Sequence, residues 1–106
     1  MNELDFYLKH FRNKVFKLLP MREDYDNGHD NHLYDYITNL EIDCVGACER
    51  FPSLKNEPLF CDVQNDLFYI RTEEVDFPKW RNIVLRDTRK IHSLMSCESE
   101  VSELGD

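Results

Sequence analysis

Glu3-Leu4-Asp5-Phe6-Tyr7-Leu8-Lys9-His10-Phe11-Arg12-Asn13-Lys14-Val15-Phe16-Lys17-Leu18-Leu19 is the stretch that decides the fold. Leu4, Leu8, Phe11, Val15 and Leu18 recur at steps of 4, 3, 4 and 3, the return of one face of a helix. Asn2 offers its side chain as an N-cap, and Asp5 stands three residues later in capping-box fashion. Phe16 and Leu19 broaden the stripe, and Pro20 is expected to stop the helix because it lacks an amide hydrogen, giving a first helix over 3–19.

The same period reappears downstream. Residues 21–31 read as a turn-rich loop around Asn27-Gly28, with Asp30 or Asn31 capping the next helix. Leu33, Ile37, Leu40, Cys44, Ala47 and Phe51 then step by 4, 3, 4, 3 and 4, predicting a helix over 32–51 that Pro52 closes. Gly46 inside it is worth about 1 kcal/mol less than alanine, and close approach of a neighbouring helix would explain its presence. Pro58 in a first turn opens a third helix over 58–71, marked by Phe60, Val63, Leu67 and Ile70. Leu67-Phe68-Tyr69-Ile70 also suits a buried strand, so a small hairpin within 66–87, turning through Thr72-Glu73-Glu74, is the rival reading. Asp76 caps a fourth helix over 77–95 with Pro78 in its first turn. Trp80, Val84, Ile91 and Leu94 form its stripe, with Phe77 also expected in the core, and the stripe skips one beat at Asp87. The expected fold is all-α, an antiparallel four-helix bundle over 1–95 with the first and last helices side by side, and then an acidic flexible tail over 96–106.

A chain of 106 residues fits one domain and buries roughly 60–65% of its unfolded surface, enough for a core without metal or disulfide help. No apolar run approaches the roughly 18 residues of a membrane span. The start Met-Asn-Glu-Leu-Asp lacks the basic and apolar regions of a signal peptide, so a cytoplasmic location is expected. In that compartment Cys44, Cys48, Cys61 and Cys97 are expected as free thiols.

The net charge of −8 hides an uneven map. Residues 1–20 carry +2, residues 21–57 −6, residues 58–76 −4, residues 77–95 +4, and the tail −4. A bundle built from these segments would show a basic side (Lys9, Arg12, Lys14, Lys17, Arg81, Arg86, Arg89, Lys90) and an acidic one. The simplest role for such charges is to solvate outer faces and trade weak ion pairs. A functional role is to steer a partner.

Candidate chemistry is sparse. Cys44 and Cys48 stand at i and i+4, but Cys44 falls in the apolar stripe, where cysteine packs as a small hydrophobe, and only His29 and His32 are near enough in sequence to join a metal site. Asp24, Asp26, Gly28 and Asp30 invite comparison with a calcium loop. Its sixth position would be His29 instead of glycine and its twelfth Asp35 instead of glutamate, so turn acidity is the reading. Asp87 needs a partner if buried, and Arg81, Arg86 or a lysine of the first helix are the expected ones. No P-loop, GxSxG, HExxH or Gly-rich phosphate cradle occurs; neither enzymatic activity nor a cofactor, metal or small-molecule substrate is expected.

Arg12 through Pro20, Tyr36-Ile37 through Gly46-Ala47, Phe51-Pro52-Ser53-Leu54 and the stretch Arg81 to Ile91 resemble a family of small helical proteins encoded by phages, prophages and mobile elements of Gram-positive bacteria. The likeness spans roughly residues 10–95 and lies in packing positions and helix ends. Relatives would carry a more basic arginine pair where this chain has Arg81-Asn82. The family has no established activity, so the resemblance implies a helical fold and a mobile-element setting and transfers no functional residue.

In that setting the expected function is a non-enzymatic protein-binding module, an inhibitor of a host or defence protein that has a basic surface. The expected partner-binding residues are Glu23, Asp24, Tyr25, Asp26, Asp30, Tyr34, Asp35 and Glu41, since tyrosine among carboxylates is a common contact surface for a basic partner. The alternative is a nucleic-acid-associated regulator working through the basic side of the first and last helices, although the acidic net charge disfavours direct nucleic-acid binding.

Overall fold

In a computed structural model describing residues 2–95, the chain forms five α-helices and one 3₁₀ turn, with no strand among the described residues. They are α1 (Glu3–Phe16), α2 (Leu18–Asp26), α3 (Leu33–Arg50), the 3₁₀ turn Pro52–Asn56, α4 (Pro58–Thr72) and α5 (Phe77–Ser93). The all-α expectation holds, and the rival hairpin within 66–87 does not form, because Leu67 and Ile70 complete the buried stripe of α4. The expected tail over 96–106, with Cys97, lies outside the described residues.

The first correction concerns Pro20. It does not end the helical path. Lys17 keeps helical dihedrals at φ −64° and ψ −15° between α1 and α2, its amide still bonds the Asn13 carbonyl, and the Met21 amide bonds the Lys17 carbonyl. Pro20 withholds the one amide that would bond Phe16, so the ladder breaks there and the axis turns instead of stopping. Residues 21–26, expected in a loop, are therefore helical. The stop comes at Gly28, with φ 79°: its amide bonds the Tyr25 carbonyl at 3.0 Å and the His29 amide bonds that of Asp24 at 2.8 Å. These two bonds are a Schellman end, with glycine in the left-handed position.

Caps also shift. Asn2 behaves as expected, its Oδ1 accepting from the Asp5 amide at 2.7 Å. At α3 the cap position is His32, one beyond the expected Asp30 or Asn31, and Asp30 instead accepts from the His32 amide at 2.8 Å.

The core joins Leu8, Phe11, Val15 and Leu18 to Leu33, Ile37, Leu40, Cys44 and Ala47, to the α4 stripe, and to Trp80, Ile83, Val84 and Ile91. Phe11 and Phe60 rings meet at 5.9 Å, and Tyr7 lies between Phe11 and Phe51, so aromatic contacts link α1, the end of α3 and α4. The α5 helix packs on both α1 and α4, α4 on α3, and the 3₁₀ turn closes on α3 and α4 with Leu54 buried. Side-chain pairs bridge α1 to α3 and α4 to α5. Glu3 meets Arg50 and Lys14 meets Asp43; Tyr69 meets Lys79 and Asp62 meets Lys90. Phe16 and Phe77, expected to pack inside, are 51% and 38% exposed.

Arg22 fixes the bent segment. Its guanidinium stacks 5.2 Å from the Trp80 ring, donates to the Val75 carbonyl at 3.2 Å, and holds Asp26. A half-buried arginine that satisfies three partners at once docks α2 on the start of α5.

Gly28 and Gly46 make opposite predictions. A Cβ on Gly46 meets nothing within 4 Å, so the expected close approach of a neighbouring helix does not exist. Gly46→Ala should therefore stabilise the fold by about 0.5–1 kcal/mol. Gly28→Ala should destabilise it by about 1–2 kcal/mol through the left-handed backbone. Urea unfolding monitored by circular dichroism measures both; a shift of the same sign in the two variants would contradict this account.

Candidate functional site

The helical course of α2 decides where the acidic candidates fall. Glu23, Asp24, Tyr25 and Asp26 lie on its last turns, Asp30 on the link, and Tyr34 and Asp35 on the first turn of α3. The Tyr25 and Tyr34 rings meet edge to face, with centroids 5.4 Å apart at 83°, and both remain more than a third exposed. That contact brings the end of α2 onto the start of α3. Glu23, Asp24 and Asp35 are exposed there with no cation in ion-pair range among the described residues.

Three expected members have structural work. Asp26 is held by Arg22, Asp30 bonds the His32 amide, and Glu41 forms a two-point pair with Arg71 of α4. Glu41 lies two helical turns beyond Tyr34 and braces α3 against α4. The remaining tyrosines are structural as well. The Tyr36 hydroxyl donates to the Lys14 carbonyl at 2.7 Å, the Tyr7 hydroxyl to that of Asp43 at 3.4 Å, and the Tyr69 hydroxyl accepts from Lys79 at 2.9 Å.

The basic residues divide in the same way. Lys14 pairs with Asp43, and Lys90 lies 3.5 Å from Asp62 and 3.8 Å from Asp66, so both stitch seams between basic and acidic helices. Lys9, Lys17, Arg81, Arg86 and Arg89 are exposed and have no carboxylate in ion-pair range among the described residues. Between α1 and α5 runs an open groove of about 410 Å³, lined by Arg12, Asn13, Phe16, Thr88, Arg89, His92 and Ser93. Sequence spacing hides this groove, because it assigns Phe16 to the core stripe.

The cysteine and calcium readings meet plain geometry. The Cys44 thiol is fully buried, and burial raises its pKa, so it stays protonated and inert. Among the described residues no group of three or more His, Cys, Asp or Glu side chains is arranged to hold a metal ion. Asp24 and Asp26 lie on α2 and form no loop.

Asp87 also departs from expectation. It is 1% exposed and takes none of the expected arginine or lysine partners; its neighbour is the Asp66 carboxyl of α4. As two carboxylates, neither Asp87 Oδ1 nor Asp66 Oδ2 would have a donor. Burial first, and then the hydrogen bond and charge of Asp66, push Asp87 up to about 9, against the pull of Lys90 and Arg86. A proton on Asp87 turns the pair into a donor and an acceptor.

Against protein-family models, curated proteins and solved structures, the chain has no match. No helix among the described residues is long and apolar enough to cross a membrane.

The buried pair sets a pH dependence. Folded Asp87 keeps its proton up to about 9, whereas the unfolded chain releases it near the ordinary carboxylate value, so its contribution to stability is full in acid and lost as pH rises towards 9. Asp87→Asn keeps a donor to Asp66 and removes this titration. Its melting temperature should exceed that of the unaltered protein by a margin that widens between pH 5 and pH 9. A constant or shrinking margin in thermal melts across that range would count against the shared proton.

Proposed function

We propose that this protein is a non-enzymatic binding module whose α2–α3 end docks on a basic surface of another protein. Its scaffold is an antiparallel four-helix bundle in which α1 and α2 together form one bent leg. The Tyr25–Tyr34 edge-to-face pair carries the reading, because it presents two rigid amphipathic rings beside Glu23, Asp24 and Asp35. Tyrosine gives large contact area for little lost rotamer freedom, and unpaired carboxylates around it attract a cationic partner and set its orientation.

Chemistry narrows the class of partner. A protein that handles nucleic acid keeps a basic cleft for phosphates, and a carboxylate face competes for that cleft by placing negative charge where phosphates sit. The mobile-element setting implied by the sequence resemblance makes a host or defence protein the partner, blocked by occupancy.

Glu23→Lys, Asp24→Lys and Asp35→Lys together test the face without disturbing Asp26 or Asp30. The triple variant should keep its helical circular dichroism and lose the partner that the unaltered protein retains from host lysate. With that partner purified, titration calorimetry should show affinity falling with salt, and Tyr25→Ala should weaken it by about tenfold or more. Undiminished binding by the triple variant would remove this face from the interface.

A further inference from the structure

The groove between α1 and α5 is not used by the acidic face, and its chemistry is of opposite sign. We propose that it binds single-stranded nucleic acid, with a base stacked on Phe16 and the adjoining phosphates held by Arg12 and Arg89.

Phe16 is 51% exposed and lines the groove, where it offers an aromatic face to a ligand. Arg12 is half-buried, and its Nη1 lies 2.8 Å from His92 Nδ1, which accepts from it; this holds the guanidinium at the groove wall. Across the groove Arg89 is exposed and without a carboxylate partner among the described residues, and Arg86 stands one helical turn before it. Asn13 and Ser93 add neutral hydrogen-bonding groups. A cationic groove with an aromatic platform is the combination that holds single strands, since guanidinium forks grip phosphates and every base has a stacking face.

Two features choose this occupant over other anions. Both walls are helical and the amides along them are spent on their own ladders, so an extended acidic peptide finds no main-chain donors there. A duplex keeps its bases stacked and offers Phe16 none. The net charge of −8 does not forbid the contact, because the carboxylates gather in residues 21–76 and the tail while residues 77–95 carry +4. At physiological salt the screening distance is about 8 Å, so the local cations dominate at the groove.

Fluorescence anisotropy of a labelled oligothymidylate, titrated with the full chain, tests the assignment. Binding is expected at low salt, and two phosphate contacts predict an affinity loss of about sevenfold between ~50 and ~200 mM salt. Phe16→Ala should weaken binding by about fivefold or more. Arg12→Ala with Arg89→Ala should weaken it further and flatten the salt dependence. All these side chains except Arg12 are exposed, and unchanged circular dichroism of each variant confirms folding. Reversal of Glu23, Asp24 and Asp35 should leave oligothymidylate binding intact or stronger, which separates this groove from the protein-docking face. The proposal is overturned by any of three results: no binding at low salt, unchanged affinity in the Phe16 and arginine variants, or equal affinity for duplex DNA or polyglutamate.

Discussion

Burial of one helix against two neighbours at once is the constraint on which the architecture depends. The α5 stripe must cover both α1 and α4, and its Trp80, Val84 and Ile91 are buried in the shared core. Each fully buried large apolar side chain contributes roughly 1.5–3 kcal/mol, so these positions outweigh any surface ion pair in the molecule. Asp87 occupies the same stripe, where burial first and the neighbouring Asp66 carboxyl of α4 second raise its pKa and favour its neutral form. A polar beat in an apolar stripe has thereby become a contact that α4 and α5 can make in one register.

The bend at Pro20 is the second determinant, and it governs the surface. One missing amide turns the helical path after Phe16, and Arg22 then seats α2 on Trp80 and Val75. From that seat Tyr25 reaches Tyr34, and carboxylates separated by a turn and a link flank the tyrosine pair in sequence. Phe16, the last residue of α1, is left outside the core by the same geometry.

The charge pattern is neither random solvation nor a clean division into two poles. Lys14, Arg50, Arg71 and Lys90 join helices by pairing with acids on a neighbour. The charges left over are the informative part: among the described residues, carboxylates without a cation in ion-pair range around the tyrosine pair, and cations without a carboxylate in range along α1 and α5. Those remainders, rather than the net charge, set the local potential at each face.

From the order of residues alone one can read the stripes of α1, α3, α4 and α5 and the cap at Asn2, because those depend on spacing within a few turns. Even helix α2, which Pro20 disguises, left a local trace in Leu18, Met21 and Tyr25 at steps of 3 and 4 with Gly28 just past the end. Other features needed the assembled chain. Phe16 looks like core by spacing and Gly46 like a contact point, yet both face outward, because which flank of a helix is covered is set by its neighbours' positions. The partners of Asp87, Glu41 and Arg22 are likewise 21, 30 and 53 residues away, and only tertiary packing brings such distant side chains within reach of a proton or a hydrogen bond.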